Sequence, residues 1–182
     1  MLAKDENIVI NDKNIVIRCI GENDIDTMTV FDNTIIHESN YIVFYDYSSF
    51  TITKREHEYR SLIMNYLFSK KSLLLGAFID STLIAECYFG PVNDSDHRAS
   101  IEVVVLKQYQ NIGVATALFN KAFARLKVCK IEQVEAMVAK ENEYGIKLMN
   151  RFGFKVCGTI PHAIKINEVS YYDGLYFVKD LR

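Results

Sequence analysis

The 182-residue chain has no concentrated charge of either sign: 21 Lys and Arg stand against 23 Asp and Glu, for a net charge of −2. Nucleic-acid and anionic-membrane surfaces need clustered Lys and Arg, so neither partner is expected. No apolar run approaches the ~20 residues of a membrane span. Met1–Asn7 also lacks the apolar core of a signal peptide, and a cytoplasmic location is the expectation. Cysteine is sparse. Cys19, Cys87, Cys129 and Cys157 lie far apart with no C-x-x-C and with apolar neighbours, so buried free thiols in a reducing compartment are expected. His37, His57, His97 and His162 show no metal-ligand spacing, and no metal is predicted.

What is present is ordinary globular composition, 49% hydrophobic and 24% charged. The length suits one domain over residues 1–182, with a core of its own. Ile15–Ile20 reads as a first strand, followed by a helix through Ile25, Met28, Phe31 and Ile35 with Asn23 or Asp24 as its cap. The aromatic stretch Tyr41–Phe50 fits no clean period. Thr53-x-x-Glu56 is a capping box ahead of an apolar helix face at Tyr59, Leu62, Ile63, Tyr66 and Leu67. Leu73–Ile79 and Leu83–Phe89 flank Asp80-Ser81-Thr82 as a hairpin, and His97–Leu106 is the next strand. A helix over Val114–Lys127, a strand over Gln133–Ala139 and a helix over Asn142–Phe152 follow, the last stopped by Gly153. Phe154–Ile160 and Tyr171–Val178 end the chain as strands, around a loop at Asn167-Glu168. The fold class is mixed α/β, a largely antiparallel central sheet flanked by helices.

The most informative segment is Gln110-Asn111-Ile112-Gly113-Val114-Ala115, between the strand Val103-Val104-Val105-Leu106 and the helix from Val114. The first amides of a helix lack intrahelical acceptors, and the helix dipole adds about half a positive charge there. A turn of this kind can seat a pyrophosphate on backbone N–H groups. Gly113 allows close approach or a positive φ. A P-loop would need Lys-Ser/Thr after its last glycine, and a dinucleotide fold would need G-x-G-x-x-G; both are missing.

Gln110-x-x-Gly113-x-Ala115 after a strand resembles motif A of the GNAT acyltransferase superfamily. A second segment, Asn142-Glu143-Tyr144-Gly145-Ile146-Lys147-Leu148-Met149-Asn150-Arg151-Phe152-Gly153-Phe154, resembles that superfamily's motif B, N-x-x-A-I-x-L-Y-x-x-x-G-F. Val16-Ile17-Arg18 and Tyr172-Asp173 resemble its usual first strand and Y-x-D ending, and the likeness covers roughly Asn14 to Leu181. The resemblance implies a GNAT-like fold and acetyl transfer from acetyl-CoA, as co-substrate, to an amine. It places the pantetheine arm on the backbone edge of Val103, Val104 and Val105, whose side chains are at the same time core. It places the pyrophosphate on the amides of Asn111, Ile112, Gly113, Val114, Ala115 and Thr116, with Gln110 at the turn. Asn142 contacts the pantetheine arm on this reading, or serves as a helix N-cap, or does both.

An amine with a pKa of ~10.4 is protonated in all but about one molecule in 2,500 at neutral pH, so a base is useful. Glu102 is the first choice, an acidic residue among Ile101, Val103 and Val104; the plain alternative is a solvent-facing alternating residue. His97, at the start of the same strand, is the second choice, or only polar surface. Glu38 and Asp46 are isolated carboxylates that could attract an ammonium. Tyr41–Phe50 would wall the acceptor pocket by resemblance, or pack over the sheet. Three departures stand out: Asn111 and Ala115 in place of glycines, and Met149 in place of the tyrosine that often protonates the leaving thiolate. Methionine donates no proton, and Tyr144 is a poor substitute, pointing about 140° away on the helix. The acceptor is expected to be a small-molecule amine: an amino acid, a polyamine or an amine toxin. A protein or ribosomal-protein N-acetyltransferase and a non-catalytic coenzyme A sensor are the alternatives. Superfamily members often dimerise, so a homodimer is compatible with the resemblance.

Overall fold

The structure, a computed structural model, describes residues 4–38, 61, 72–93, 97–166 and 170–182. The expectations for Tyr41–Phe50, Asp46, the Thr53–Glu56 box, the helix face behind it and the Asn167-Glu168 loop lie outside the described residues. Strand β1 (Glu6–Ile10) extends the sheet ahead of the strand expected at Ile15–Ile20 and pairs with β2 (Lys13–Cys19). Its contiguous Ile8-Val9-Ile10 hides the two-residue alternation of a strand. The turn between them puts Asn11 at φ 47° and Asp12 at φ 59°, the paired positive angles that match a hairpin's twist.

A short 3-10 turn, Glu22–Asp24, precedes α1 (Ile25–Glu38). Asp24, expected as a helix cap, has another use. Its carboxylate accepts from Gly21 N–H at 2.8 Å and from the Arg18 guanidinium through two 2.7 Å bonds. Then come β3 (Leu73–Ile79), β4 (Thr82–Pro91), β5 (Arg98–Val105) and α2 (Val114–Val128). β6 (Gln133–Ala139), α3 (Glu143–Arg151), β7 (Lys155–Ile166) and β8 (Ser170–Asp180) complete the described elements. β7 and β8 run longer than the strands expected there.

The strands form an eight-stranded sheet in the order β1-β2-β3-β4-β5-β6-β8-β7, antiparallel throughout except between β5 and β6. α1 covers one face, packing Met28, Phe31 and Ile35 against Leu74, Phe78 and Leu83. α2 and α3 cover the other, where Leu118, Phe119 and Met149 meet Leu75, Val134 and Phe177. The two helices are locked together by aromatic rings. Phe119 meets Phe152 edge-on at 5.1 Å between centroids, Phe123 stacks on Phe152 at 5.5 Å, and Phe154 closes the group at 6.1 Å from Phe123. Burying one such ring contributes roughly 1.5–3 kcal/mol. This cluster fixes where the N-terminus of α2 sits relative to α3.

The four cysteines are free, but they are not uniformly buried as expected. Cys87 is buried, and burial, with Glu86 and Glu102 nearby, pushes its thiol well above the usual range. Cys157 is exposed, as are its β7 neighbours from Lys155 to His162 on the outer strand of the sheet, and the register of β7 on β8 shifts beside it, between Val156 and Gly158. No described helix is long and apolar enough to cross a membrane.

Candidate active site

β5 and β6 pair only from Arg98↔Gln133 to Ser100↔Glu135. Past Ser100 the two strands part, and a cleft of about 720 Å³ opens between them. That volume lies in the usual range for small-molecule sites. One wall is Glu102, Val103, Val104 and Val105; the opposite wall is Met137, Val138 and Ala139. Successive strand residues point to opposite sides of a sheet, so a cleft lined by consecutive residues passes through the sheet from face to face. The fork is pinned at its base by Glu135, 1% exposed, which accepts from Arg98 Nε, from Gln133 Nε2 at 2.8 Å and from the Tyr176 hydroxyl. Burial pushes this carboxyl up, but the three donors outweigh it and hold Glu135 below the ordinary carboxylate range.

The backbone of β5 is divided between its two neighbours. Leu106 N–H donates to Ile84 O of β4 at 3.0 Å, and Val104, paired with Glu86, turns its amide and carbonyl the same way. Val103 and Val105 therefore direct theirs to the cleft. Gln110 Nε2 takes one of those groups, donating to Val105 O at 2.9 Å. The remaining groups form an open strand edge.

At one mouth of the cleft stands the α2 N-terminus. Asn111 has φ 61° and Gly113 φ 107°, so the turn uses two left-handed residues in three. A Cβ built on Gly113 would meet nothing within 4 Å; the space beside it is open cleft. The first helical bond runs from Ala117 N–H to Gly113 O at 3.0 Å. The amides of Val114, Ala115 and Thr116 are then left without intrahelical acceptors. Arg151, in the last turn of α3, donates to Thr116 Oγ1 at 3.1 Å, which sets a guanidinium beside those amides. Lys107 and Lys147 also line the cleft. Amides, dipole and guanidinium together suit a diphosphate. Ile112 packs half-buried against the core beneath the turn.

At the other mouth, on the α1 face, the carboxylates of Glu102 and Glu38 line the cleft, with Lys107 beside Glu38. Glu102 lines the cleft and keeps contact with solvent while protein crowds it. Its pKa is raised by that burial, partly offset by the Tyr88 hydroxyl donating to Oε1 at 3.1 Å. One strand back, burial pushes Glu86 up to about 8, with the Asp32 and Glu102 carboxylates adding repulsion. Glu38 also lines the cleft, and its carboxylate accepts from Lys107 N–H at 2.7 Å. His97 is exposed and precedes β5 at the paired end of the fork. Five residues of strand separate it from Glu102, about 16 Å, and it is not among the residues that line the cleft.

The sequence profile of the acetyltransferase (GNAT) family matches residues 40–154, more than half of the chain. The chain belongs to that family. Solved structures carry the same fold. A GNAT-family acetyltransferase from Streptococcus pneumoniae superposes with a TM-score of 0.80 at 18% identity, covering 92% of this chain and 99% of that one. Ribosomal-protein-S5-alanine acetyltransferase from Vibrio fischeri gives 0.81 at 15% identity over 97% of each chain. A Salmonella typhimurium protein solved with its cofactor acetyl-CoA gives 0.74 at 16% identity, over 92% of this chain and 94% of that one. No curated protein is matched by the sequence.

In this GNAT chain the structure gathers Glu102, the Val103–Val105 edge, Gln110, Asn111, Gly113, Val114, Ala115, Thr116 and Asn142 around one cleft, and leaves His97 outside it. Asn142 lines the cleft and caps α3, its Oδ1 accepting from Gly145 N–H at 2.9 Å. Met149 lines the cleft as well and is 4% exposed. Tyr144, which the helical angle placed away from Met149, stands exposed on the rim with Lys147 Nζ 5.7 Å from its ring centre. Arg151, Glu86 and Asp32 escaped the reading of the sequence. Arg151 carried a signal, the basic last turn of a helix that ends at Gly153. Glu86 carried one too, a carboxylate inside Leu83-Ile84-Ala85-Glu86-Cys87. Asp32 sat among Met28, Phe31 and Ile35 on the buried stripe of α1.

Proposed function

We propose that the protein transfers acetyl from acetyl-CoA to the primary amine of a small molecule, which attacks directly while both substrates are bound. The observation that carries this is the fork between β5 and β6 with the α2 N-terminus at its mouth. The residues present fit the co-substrate: the space beside Gly113 is open, three helix amides and Arg151 converge on it, and an apolar strand edge leads away through the sheet. When bound, acetyl-CoA supplies the acetyl group as an activated thioester.

The amides of Val114, Ala115 and Thr116 hold the diphosphate, with Arg151 beside them. The backbone groups of Val103 and Val105 pair with the two amides of the pantetheine arm as an added strand would. Asn142 Nδ2 remains for the same arm while Oδ1 caps α3. A backbone N–H on the edge steadies negative charge on the reacting oxygen, a role worth about 10²–10³ in rate where it has been measured. Glu102 takes the proton from the acceptor's ammonium, and its raised pKa brings it nearer the working pH of a base. Met149 gives no proton to the departing sulfur. A thiolate with a pKa of ~8.5 leaves without one.

The second reading, a coenzyme A sensor without turnover, is favoured by Met149 alone. A thiol-release assay over amines, amino acids and N-terminal peptides decides. Turnover on small amines is expected. Turnover on peptides only would move the acceptor to a protein, and tight acetyl-CoA binding without any turnover would make the chain a sensor.

A further inference from the structure

Met137 and Glu102 face each other across the fork. β5 and β6 run parallel and keep register as far as Ser100↔Glu135. Two residues further along each strand stand Glu102 and Met137, level with each other where the strands have parted, and both line the cleft. They also share a face of the sheet. Val138, next to Met137, lies against α3, since a Cβ on Gly145 of that helix would come within 2.8 Å of Val138 Cγ1. Met137 therefore projects from the opposite face, that of α1. Glu102 pairs with Tyr88, which packs on the α1 cluster, and so projects from the same face.

Met137 is joined there by a residue from β7. Between the pairs Ile160↔Gly174 and Ile164↔Tyr172, β7 carries two residues more than β8, and the surplus brings Ala163 over β8 toward Met137. A Cβ on Gly174 would lie 2.8 Å from Met137 Sδ and 2.9 Å from Ala163 Cβ, so the two side chains close over a strand position that only glycine leaves free. Ala163 and Ile164 line the cleft beside Met137. The bulge is braced from β8. His162 sits at φ 53°, a left-handed angle that a side chain disfavours, and its N–H donates to Asp173 Oδ1 at 3.1 Å. The Asp173 carbonyl accepts from Lys140 N–H at 2.9 Å, directly after β6. One residue thus ties the bulge to the end of the strand that carries Met137.

The two sides of this mouth differ in chemistry. β5 offers a carboxylate, and β6 and β7 offer a thioether and a methyl group. Met137 is 42% exposed, an adaptable apolar surface for a hydrocarbon. A second charge at that point would meet only a weak acceptor in the Met137 sulfur and none in Ala163. Resting on the acetyl-transfer reading above, we propose that the acceptor is a primary amine on a hydrocarbon body, whose nitrogen reaches Glu102 while its carbons lie on Met137 and Ala163, with Asp173 as the positioning residue of that wall. Alkyl amines then outrank diamines of the same length.

The test compares n-pentylamine with ethylamine and with diaminopentane in thiol release by the full chain. Each methylene that the wall covers is worth about fourfold, so pentylamine is expected to exceed ethylamine in kcat/KM by about tenfold or more. It should also exceed diaminopentane. Met137→Ala should cost pentylamine more than ethylamine, through KM, and Met137→Glu should turn the preference toward the diamine. Asp173→Ala should raise KM for pentylamine more than for ethylamine or acetyl-CoA. Asp173→Asn, whose amide oxygen still accepts from His162 N–H, should restore it. Equal use of pentylamine and ethylamine by the wild type, a wild-type preference for the diamine, or an equal loss on all amines in Met137→Ala overturns the proposal and leaves acetyl transfer intact. A loss in Asp173→Ala that is equal for all amines, and that Asp173→Asn does not repair, overturns the role of Asp173. If no small amine is acetylated, the small-amine reading fails instead. Calorimetry of pentylamine with coenzyme A present then decides the wall: binding that Met137→Glu abolishes upholds it, and binding that is absent or indifferent to Met137→Glu overturns it.

Discussion

On the proposed function, the groups that would recognise ligand at the α2 mouth of the cleft are backbone amides presented by Asn111, Gly113 and the helix start; at the α1 mouth they would be the carboxylates of Glu38 and Glu102. Backbone recognition is local. It needs one glycine at φ 107° and a helix that begins on schedule, and it tolerates change in the surrounding side chains. Side-chain recognition is distributed, depending on residues as far apart as Glu38 on α1 and Glu102 on β5, which the packing of that helix on the sheet brings to one cleft. The first suits a ligand shared across a family, and the second suits a ligand particular to one member.

The sharpest way to break this comparison is Gly113→Glu. A side chain at that φ is strained, and the new carboxylate would occupy the diphosphate's place. Loss of acetyl-CoA-induced thermal stabilisation and at least about a 10²-fold fall in kcat/KM are expected. If differential scanning fluorimetry still showed full stabilisation, the cofactor seat would be elsewhere. Glu102→Gln acts at the opposite mouth and should lower kcat by about 10²-fold with little change in KM for acetyl-CoA. A rate that stayed within a few-fold of wild type would remove Glu102 from the chemistry.

Arg151→Ala is expected to raise KM for acetyl-CoA by about tenfold, the size of one charge-assisted contact, with kcat nearly unchanged. Its penalty should shrink as salt rises, because the guanidinium lies at an open mouth. A salt-independent defect would assign Arg151 to packing. The smallest effect is on stability. Glu86 is raised from 4.5 to about 8 in the folded chain, so the folded state holds its proton more tightly than the unfolded state. That contribution is full below about 4.5 and is lost as pH rises toward 8. The thermal midpoint of Glu86→Gln relative to wild type should therefore climb between pH 5 and 8, by about a few degrees. A flat difference would mean that Glu86 titrates normally.

The same contrast explains what could be read from the chain. The strand, turn and helix around Gly113 and the cap at Asn142 are encoded within short windows, so spacing alone located them. Glu102 stood out as a charge between Ile101 and Val103. Glu86 was passed over although it stood as one acid in an apolar strand, because only the packing of α1 on that face separates a half-buried carboxylate from an outward-facing one. β1 was missed because Ile8, Val9 and Ile10 do not alternate, although Asn11-Asp12 is a fair hairpin turn. The exposure of Cys157 follows from the place of β7 at the outer edge of the sheet, which only the strand order reveals. His97 failed to join Glu102 for a simple reason: five residues of extended chain carry it to the far end of the strand.

The fork in the sheet has a consequence beyond catalysis. The groups that Val103 and Val105 turn to the cleft form an apolar strand edge in the middle of a sheet, and such edges invite pairing with other chains. On the proposed seating, acetyl-CoA as an added strand would close that edge against self-association. The protein without acetyl-CoA is then the form expected to self-associate more readily.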